Sequence, residues 1–132
     1  MKFHHIGLAV PQIEKELEYY HEIGASDFSP IYNDEIQNVR ILFFILGGIR
    51  YDLVSPLSAG SPVDQYLKKK IRLYHTCYEV PDLEESIKTW QQKGAILVLK
   101  PTRAIALENR RVSFLLIRSG DLIELLEADN ED

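Results

Sequence analysis

Residues 3–10 alternate two kinds of side chain. His5, Gly7 and Ala9 fall on one face of a predicted strand, and Ile6, Leu8 and Val10 on the other. Pro11 stops the strand. Ile13, Leu17, Tyr20 and Ile23 then recur at helical spacing up to Gly24, placed as a helix C-terminal cap. Residues 27–32 predict a short strand, 33–38 a polar loop and 39–46 a strong strand. Gly47-Gly48 predicts a hairpin turn, with 49–54 as the returning strand. The order is βαβββ.

Three serines, a proline and a glycine within 55–61 mark a linker. Residues 62–70 predict a short helix with Ser61 as N-cap and Pro62 at its first position. The first order then returns. Residues 72–80 predict a strand, and 82–93 a helix with Leu83, Ile87 and Trp90 inward and Gly94 at its end. Residues 95–99 predict a strand, 101–109 a long loop, 111–118 a strand, Ser119-Gly120 a turn and 122–126 the last strand. Residues 127–132 read as an acidic tail that frays. The expected fold class is α+β, one domain over 1–132. Two tandem βαβββ modules, 1–55 and 72–128, are joined by a linker and short helix over 56–71. They are expected to form a concave mixed sheet with the helices on its convex side.

The two modules are copies. His5, Pro11, Gly24 and Ala25 recur as His75, Pro81, Gly94 and Ala95, each displaced by 70 residues. Each module ends on an acid in an apolar strand: Asp52 between Tyr51 and Leu53, Glu124 between Ile123 and Leu125. A helix over the bulky face leaves His5 on the concave face, and the repeat leaves His75, Cys77 and Glu79 there too, while His4 faces the other way. A lone histidine on such a strand is more often a hydrogen-bonded core residue, and a lone acid a solvated one. Matched positions in two copies single out His5, Asp52, His75 and Glu124. If the copies pair, two imidazoles and two carboxylates make a ligand set for a divalent metal.

Composition narrows the partners. The net charge of −5 argues against nucleic acid, whose affinity comes from basic groups on phosphates. It does not exclude a small anion at a locally positive site. With 45% apolar and 27% charged residues, the chain is ordinary globular material. One cysteine, Cys77, excludes an intrachain disulfide and suits a reducing compartment. The apolar run 41–46 is too short to span a bilayer, and the first residues lack a signal-peptide core. The expectation is a cytoplasmic protein with no membrane association.

The residues that carry the repeat resemble the vicinal oxygen chelate superfamily, which includes glyoxalase I, methylmalonyl-CoA epimerase, extradiol dioxygenases and bleomycin- and fosfomycin-resistance proteins. The resemblance covers essentially the whole chain and is nearest to the epimerase branch. His5-Ile-Gly-Leu-Ala-Val resembles its opening strand. Asp52-Leu-Val-Ser-Pro-Leu with Gly60-Ser-Pro-Val resembles its Glu-Leu-Leu-x-Pro-Leu and Ser-Pro-Ile segment. His75-Thr-Cys-Tyr-Glu-Val resembles its central strand, and Leu122-Ile-Glu-Leu its closing one. By position, the family's metal ligands fall on His5, Asp52, His75 and Glu124.

Three departures stand out. Asp52 is about 1.5 Å shorter than the usual Glu or Gln. Ile36-Gln37-Asn38-Val39 replaces the family's Glu-Gln-Gly-Val, with Glu35 one place earlier. Residues 104–109 replace a glycine-rich loop.

The resemblance implies one divalent ion, Zn, Co, Ni or Mn, acting as a Lewis acid beside a carbonyl or thioester whose neighbouring C–H loses its proton. Glu124 and Glu35 are the acid/base candidates. Cys77, Asn109 and Arg110 are candidates to line the substrate site, with Asn109-Arg110-Arg111 either an anion clamp or surface arginines. The implied activity is a methylmalonyl-CoA epimerase-like isomerase, on an acyl-CoA. A lactoylglutathione lyase-type glyoxalase I, on a glutathione adduct, is the alternative. A non-catalytic small-molecule binding or resistance protein is the alternative of another class, and a ring-cleaving dioxygenase a weaker third. The resemblance also implies a homodimer.

Overall fold

Strand β1 (Lys2–Ala9) runs into a 3-10 turn (Ile13–Lys15) and helix α1 (Leu17–Glu22), and Gly24 follows at φ 102° as the expected left-handed cap. Strands β2 (Tyr32–Asp34), β3 (Val39–Leu46) and β4 (Ile49–Pro56) complete the first module. Helix α2 (Asp64–Lys68) precedes the second module, which comprises β5 (Leu73–Val80), α3 (Leu83–Gln92), β6 (Ile96–Ala104), β7 (Arg110–Leu116) and β8 (Leu122–Glu127). The computed structural model describes residues 1–129. The predicted fray at the C-terminus therefore lies partly outside the described residues. Glu127, the first residue of that stretch, closes β8 instead.

The chain divides into two compact units, His5–Tyr74 and Met1–His4 with His75 onward. In the first unit the strand order is β2-β3-β4-β1. Strands β3 and β4 form the predicted hairpin, Leu46 opposite Ile49, and Gly47 and Gly48 take φ of 61° and 78° at the turn. Strand β1 runs parallel to β4, which requires the crossover through α1. Val10, Ile13, Tyr20, Leu42, Phe44 and Leu53 pack as one core between helix and sheet. That is the bulky face of the alternation. His5, Phe43 and Asp52 occupy the opposite parity.

The second unit repeats the plan in the order β5-β8-β7-β6. Leu83 and Ile87 of α3 pack on Val80, Leu115, Ile123 and Leu125, with Trp90 half-buried at the margin. Asp82 is the N-cap of α3, its Oδ1 accepting from the Glu85 amide at 3.1 Å. Among the described residues no helix is long and apolar enough to cross a membrane.

Three local expectations are corrected. The short strand predicted at 27–32 forms at Tyr32–Asp34, running two residues into the predicted loop 33–38, because Asp27 takes φ 56° and the Ser29 hydroxyl accepts from the Phe43 amide at 2.8 Å. Before β2, Ser26 bridges to Ile45 and the Ser29 amide donates to the Phe43 carbonyl at 2.9 Å. The predicted loop 101–109 is strand as far as Ala104, with register shifts between Leu97 and Thr102. Strand β6 is last in its unit's order, so the missing N–H of Pro101 falls on an edge that tolerates it. Helix α2 begins at Asp64, not at Pro62. Ser61 Oγ accepts from the Val63 amide at 3.3 Å, closing a turn ahead of the helix.

Candidate functional site

In the first unit, β1 brings His5 and β4 brings Asp52 to the face opposite the helix. The parallel register sets Gly7 against Asp52. His5 Nε2 lies 3.5 Å from Asp52 Oδ2, with the side chains 0% and 5% exposed. Phe43 stands directly across the sheet from Asp52 and meets the His5 ring edge to face, centroids 5.2 Å apart at 84°.

The second unit repeats this arrangement. His75 Nε2 lies 3.2 Å from Glu124 Oε1, with the side chains 3% and 6% exposed. Cys77 occupies the register position of Gly7, and Phe114 lies across the sheet from Glu124. The Phe114 and His75 rings meet at 5.2 Å and 86°. Each unit thus carries a buried imidazole, a buried carboxylate and a phenyl ring that fixes the imidazole's orientation.

These separations can be tested against a metal. Two ligand atoms about 2.1 Å from a tetrahedral zinc lie about 3.4 Å apart. The His5–Asp52 and His75–Glu124 distances bracket that value. At 3.5 Å the first is also longer than an ordinary N–H···O bond. In each unit a buried carboxylate stands beside an imidazole, and a cation would compensate its charge. Burial without such compensation costs several kcal/mol per ion. Each imidazole–carboxylate pair fits a divalent ion in the kind of its donors and in their spacing.

The other sequence candidates are placed as follows. Cys77 is fully buried next to Glu124 across the strand pair. Glu35 is exposed in the turn after β2. The carboxylate of its neighbour Asp34 is buried and accepts from the Gln37 amide and side chain, both at 3.0 Å. Asn109 is exposed at φ 60°, its carbonyl accepting from Arg103 at 2.8 Å. Arg110 is ion-paired, Nη1 to Glu79 Oε2 at 2.6 Å. That bond holds the Glu79 carboxyl below its usual range, so Glu79 is a paired group. Arg111 is engaged by Glu84 and Glu127 at 2.7 and 2.9 Å. Sequence reasoning missed Phe43 and Phe114. For Phe43 the Gly47-Gly48 turn was a signal, because it sets 43 opposite 52; the predicted Ser119-Gly120 turn would set Leu115 opposite Glu124, and the observed register, one residue off, puts Phe114 there.

The family model described as the Glyoxalase/Bleomycin resistance protein/Dioxygenase superfamily matches residues 4–131. The chain belongs to this superfamily. It is 28% identical over 130 residues to the mitochondrial methylmalonyl-CoA epimerase of Dictyostelium discoideum, covering 96% of this chain and 78% of that protein. It is 30% identical over 132 residues to the corresponding Bos taurus enzyme, covering 96% and 74%. Among solved structures, a Streptomyces coelicolor methylmalonyl-CoA epimerase variant in complex with 2-nitronate-propionyl-CoA superposes with a TM-score of 0.84 at 22% identity, covering 100% and 97%. That likeness is one of fold. The expected superfamily and its α+β architecture of repeated modules are both borne out.

Proposed function

We propose that this chain is a divalent-metal-dependent epimerase that moves the proton next to the carbonyl of a branched acyl-CoA thioester, as its methylmalonyl-CoA epimerase relatives are named for doing. The observation that carries the reading is the pair of buried imidazole–carboxylate contacts, one per module, at the spacing of shared metal ligands. His5, Asp52, His75 and Glu124 would hold the ion. When bound, such an ion supplies Lewis acidity to a carbonyl oxygen, worth several kcal/mol of charge stabilisation.

The residues of the chain do the rest. Phe43 and Phe114 hold the two imidazoles in one orientation, so the donors are in place before substrate arrives. Burial of the four donors keeps water from competing for them. Epimerisation takes a proton from one face of the carbon and returns one to the other. A carboxylate oxygen of Glu124 takes the first role, and Glu35, on the turn after β2, the second. Cys77, small and buried beside Glu124, forms part of the floor of the site. The assembly that accompanies this reading is a homodimer.

The test is α-proton exchange in D2O with metal-loaded protein. The panel is methylmalonyl-CoA, other 2-branched acyl thioesters and the methylglyoxal–glutathione hemithioacetal. Exchange and epimerisation of a branched acyl-CoA are expected. Turnover of the hemithioacetal alone would replace the reading with a glyoxalase I activity. Exchange of none, with about one metal retained per chain as a single four-ligand site implies, would leave a metal-binding protein and remove the epimerase. Glu35→Gln is expected to abolish epimerisation while one face still exchanges.

A further inference from the structure

The two modules differ at one matched place. Counting along the strands from the acid, Ala9 and Val39 of the first module correspond to Glu79 and Arg110 of the second. Ala9 pairs with Val54 and Glu79 with Leu126, each two residues beyond the acid. Val39 lies four residues before Phe43, and Arg110 four before Phe114. The first module fills this place with buried apolar side chains, 1% and 2% exposed. The second fills it with an ion pair whose side chains are 24% and 16% exposed. A sheet end of this construction therefore closes without charge, and folding alone does not explain the pair.

Arg110 keeps unused capacity. Nη1 is bound to Glu79 Oε2 at 2.6 Å and to the Glu127 carbonyl at 3.3 Å, and among the described residues Nη2, on a side chain 16% exposed, makes no hydrogen bond. A guanidinium N–H open to solvent can exchange its water for a phosphate oxygen in a charge-assisted hydrogen bond. The surroundings are basic. Lys2 and His4 both act electrostatically on Glu79, so one carboxylate sits among three basic groups in a chain of net charge −5. Arg110 shares the parity of Phe114 on β7, and Glu79 that of His75 on β5, so the pair lies on the face that carries the candidate ligands. Glu79 is four residues from His75, about 13 Å along the strand.

We propose that Arg110, held in place by Glu79, binds an anionic group of the substrate remote from the reacting carbon, namely a phosphate of the coenzyme arm. That separation along the strand favours a remote anionic group over a carboxylate on the reacting carbon itself. A planar guanidinium already fixed on one edge presents its remaining N–H groups with little further loss of entropy. This inference rests on the acyl-CoA reading.

The test is the double variant Glu79→Ala with Arg110→Val, which copies the first module's apolar solution and so keeps the fold. Calorimetry with metal-loaded protein uses three probes: propionyl-CoA, which has the phosphates but no acyl carboxylate; methylmalonyl-pantetheine, which has the carboxylate but no phosphates; and inorganic pyrophosphate. The double variant is expected to keep its unfolding midpoint, bind propionyl-CoA and pyrophosphate at least tenfold more weakly and bind methylmalonyl-pantetheine as the wild type does. With methylmalonyl-CoA as substrate, KM should rise with little change in kcat. Equal affinity of wild type and variant for all three probes overturns the proposal and leaves a structural ion pair, even if wild-type epimerisation stands. Weakening confined to methylmalonyl-pantetheine overturns it in favour of a carboxylate site. Wild-type protein that binds pyrophosphate and propionyl-CoA but turns over no thioester retains the anion site and removes the epimerase reading. Wild-type protein that binds none of the probes overturns it.

Discussion

Phe114 meets His75 edge to face at 5.2 Å while standing directly opposite Glu124 on the neighbouring strand. One ring therefore orients the imidazole and fills the space beside its carboxylate partner. Phe114→Leu should keep the fold at a cost of about 1 kcal/mol. Metal affinity should fall roughly tenfold, the lower end of what loss of an orienting neighbour does. Chelator competition and urea denaturation on the same sample check the two parts separately.

Metal loading should stabilise the native protein. An ion held only by the folded state at a hundred times its Kd adds about 2.7 kcal/mol. The wild type should lose that increment on treatment with EDTA, and His75→Ala should show no metal-dependent increment at all. A variant whose unfolding midpoint still rises with metal would remove His75 from the ligand set.

Acid should erase the Glu14–Arg40 pair. The two Arg40 nitrogens donate to the Glu14 carboxylate at 2.9 and 2.7 Å and hold its pKa down to about 2, against 4.5 for the free group. A lowered carboxylate pKa stabilises the fold above the unfolded value, and the contribution disappears as pH falls from about 4.5 to about 2. Arg40→Met should therefore be less stable than wild type at pH 7 and equal to it at pH 2, by urea midpoint. The pair is exposed, so the pH 7 difference should be small and should shrink in high salt.

The Asp82 cap of α3 supplies a further check. Asp82→Ala leaves the Glu85 amide without its acceptor and should cost about 1 kcal/mol. Metal content should not change, because the cap belongs to the helix layer. A loss of metal in this variant would mean that α3 helps to set the His75–Glu124 geometry.

The sequence by itself determined the repeat, the module order and the four candidate ligands. Strand alternation assigns parity locally. A helix over Leu8 and Val10 leaves His5 on the other face whatever the rest of the chain does, and the 70-residue offset carries the same argument to His75. The Asp82 side chain likewise caps a helix three residues away, so its role is local. Tertiary structure decided what depends on neighbours distant in the chain. Strand β6 continues through Pro101 because it lies at the edge of its unit's strand order, and edge position is a property of the sheet. The phenyl rings found their imidazoles, and Arg110 found Glu79 across 31 residues, only once strand register was fixed. Register is a long-range quantity, set by packing both faces of the sheet at once, and no window of local sequence contains it.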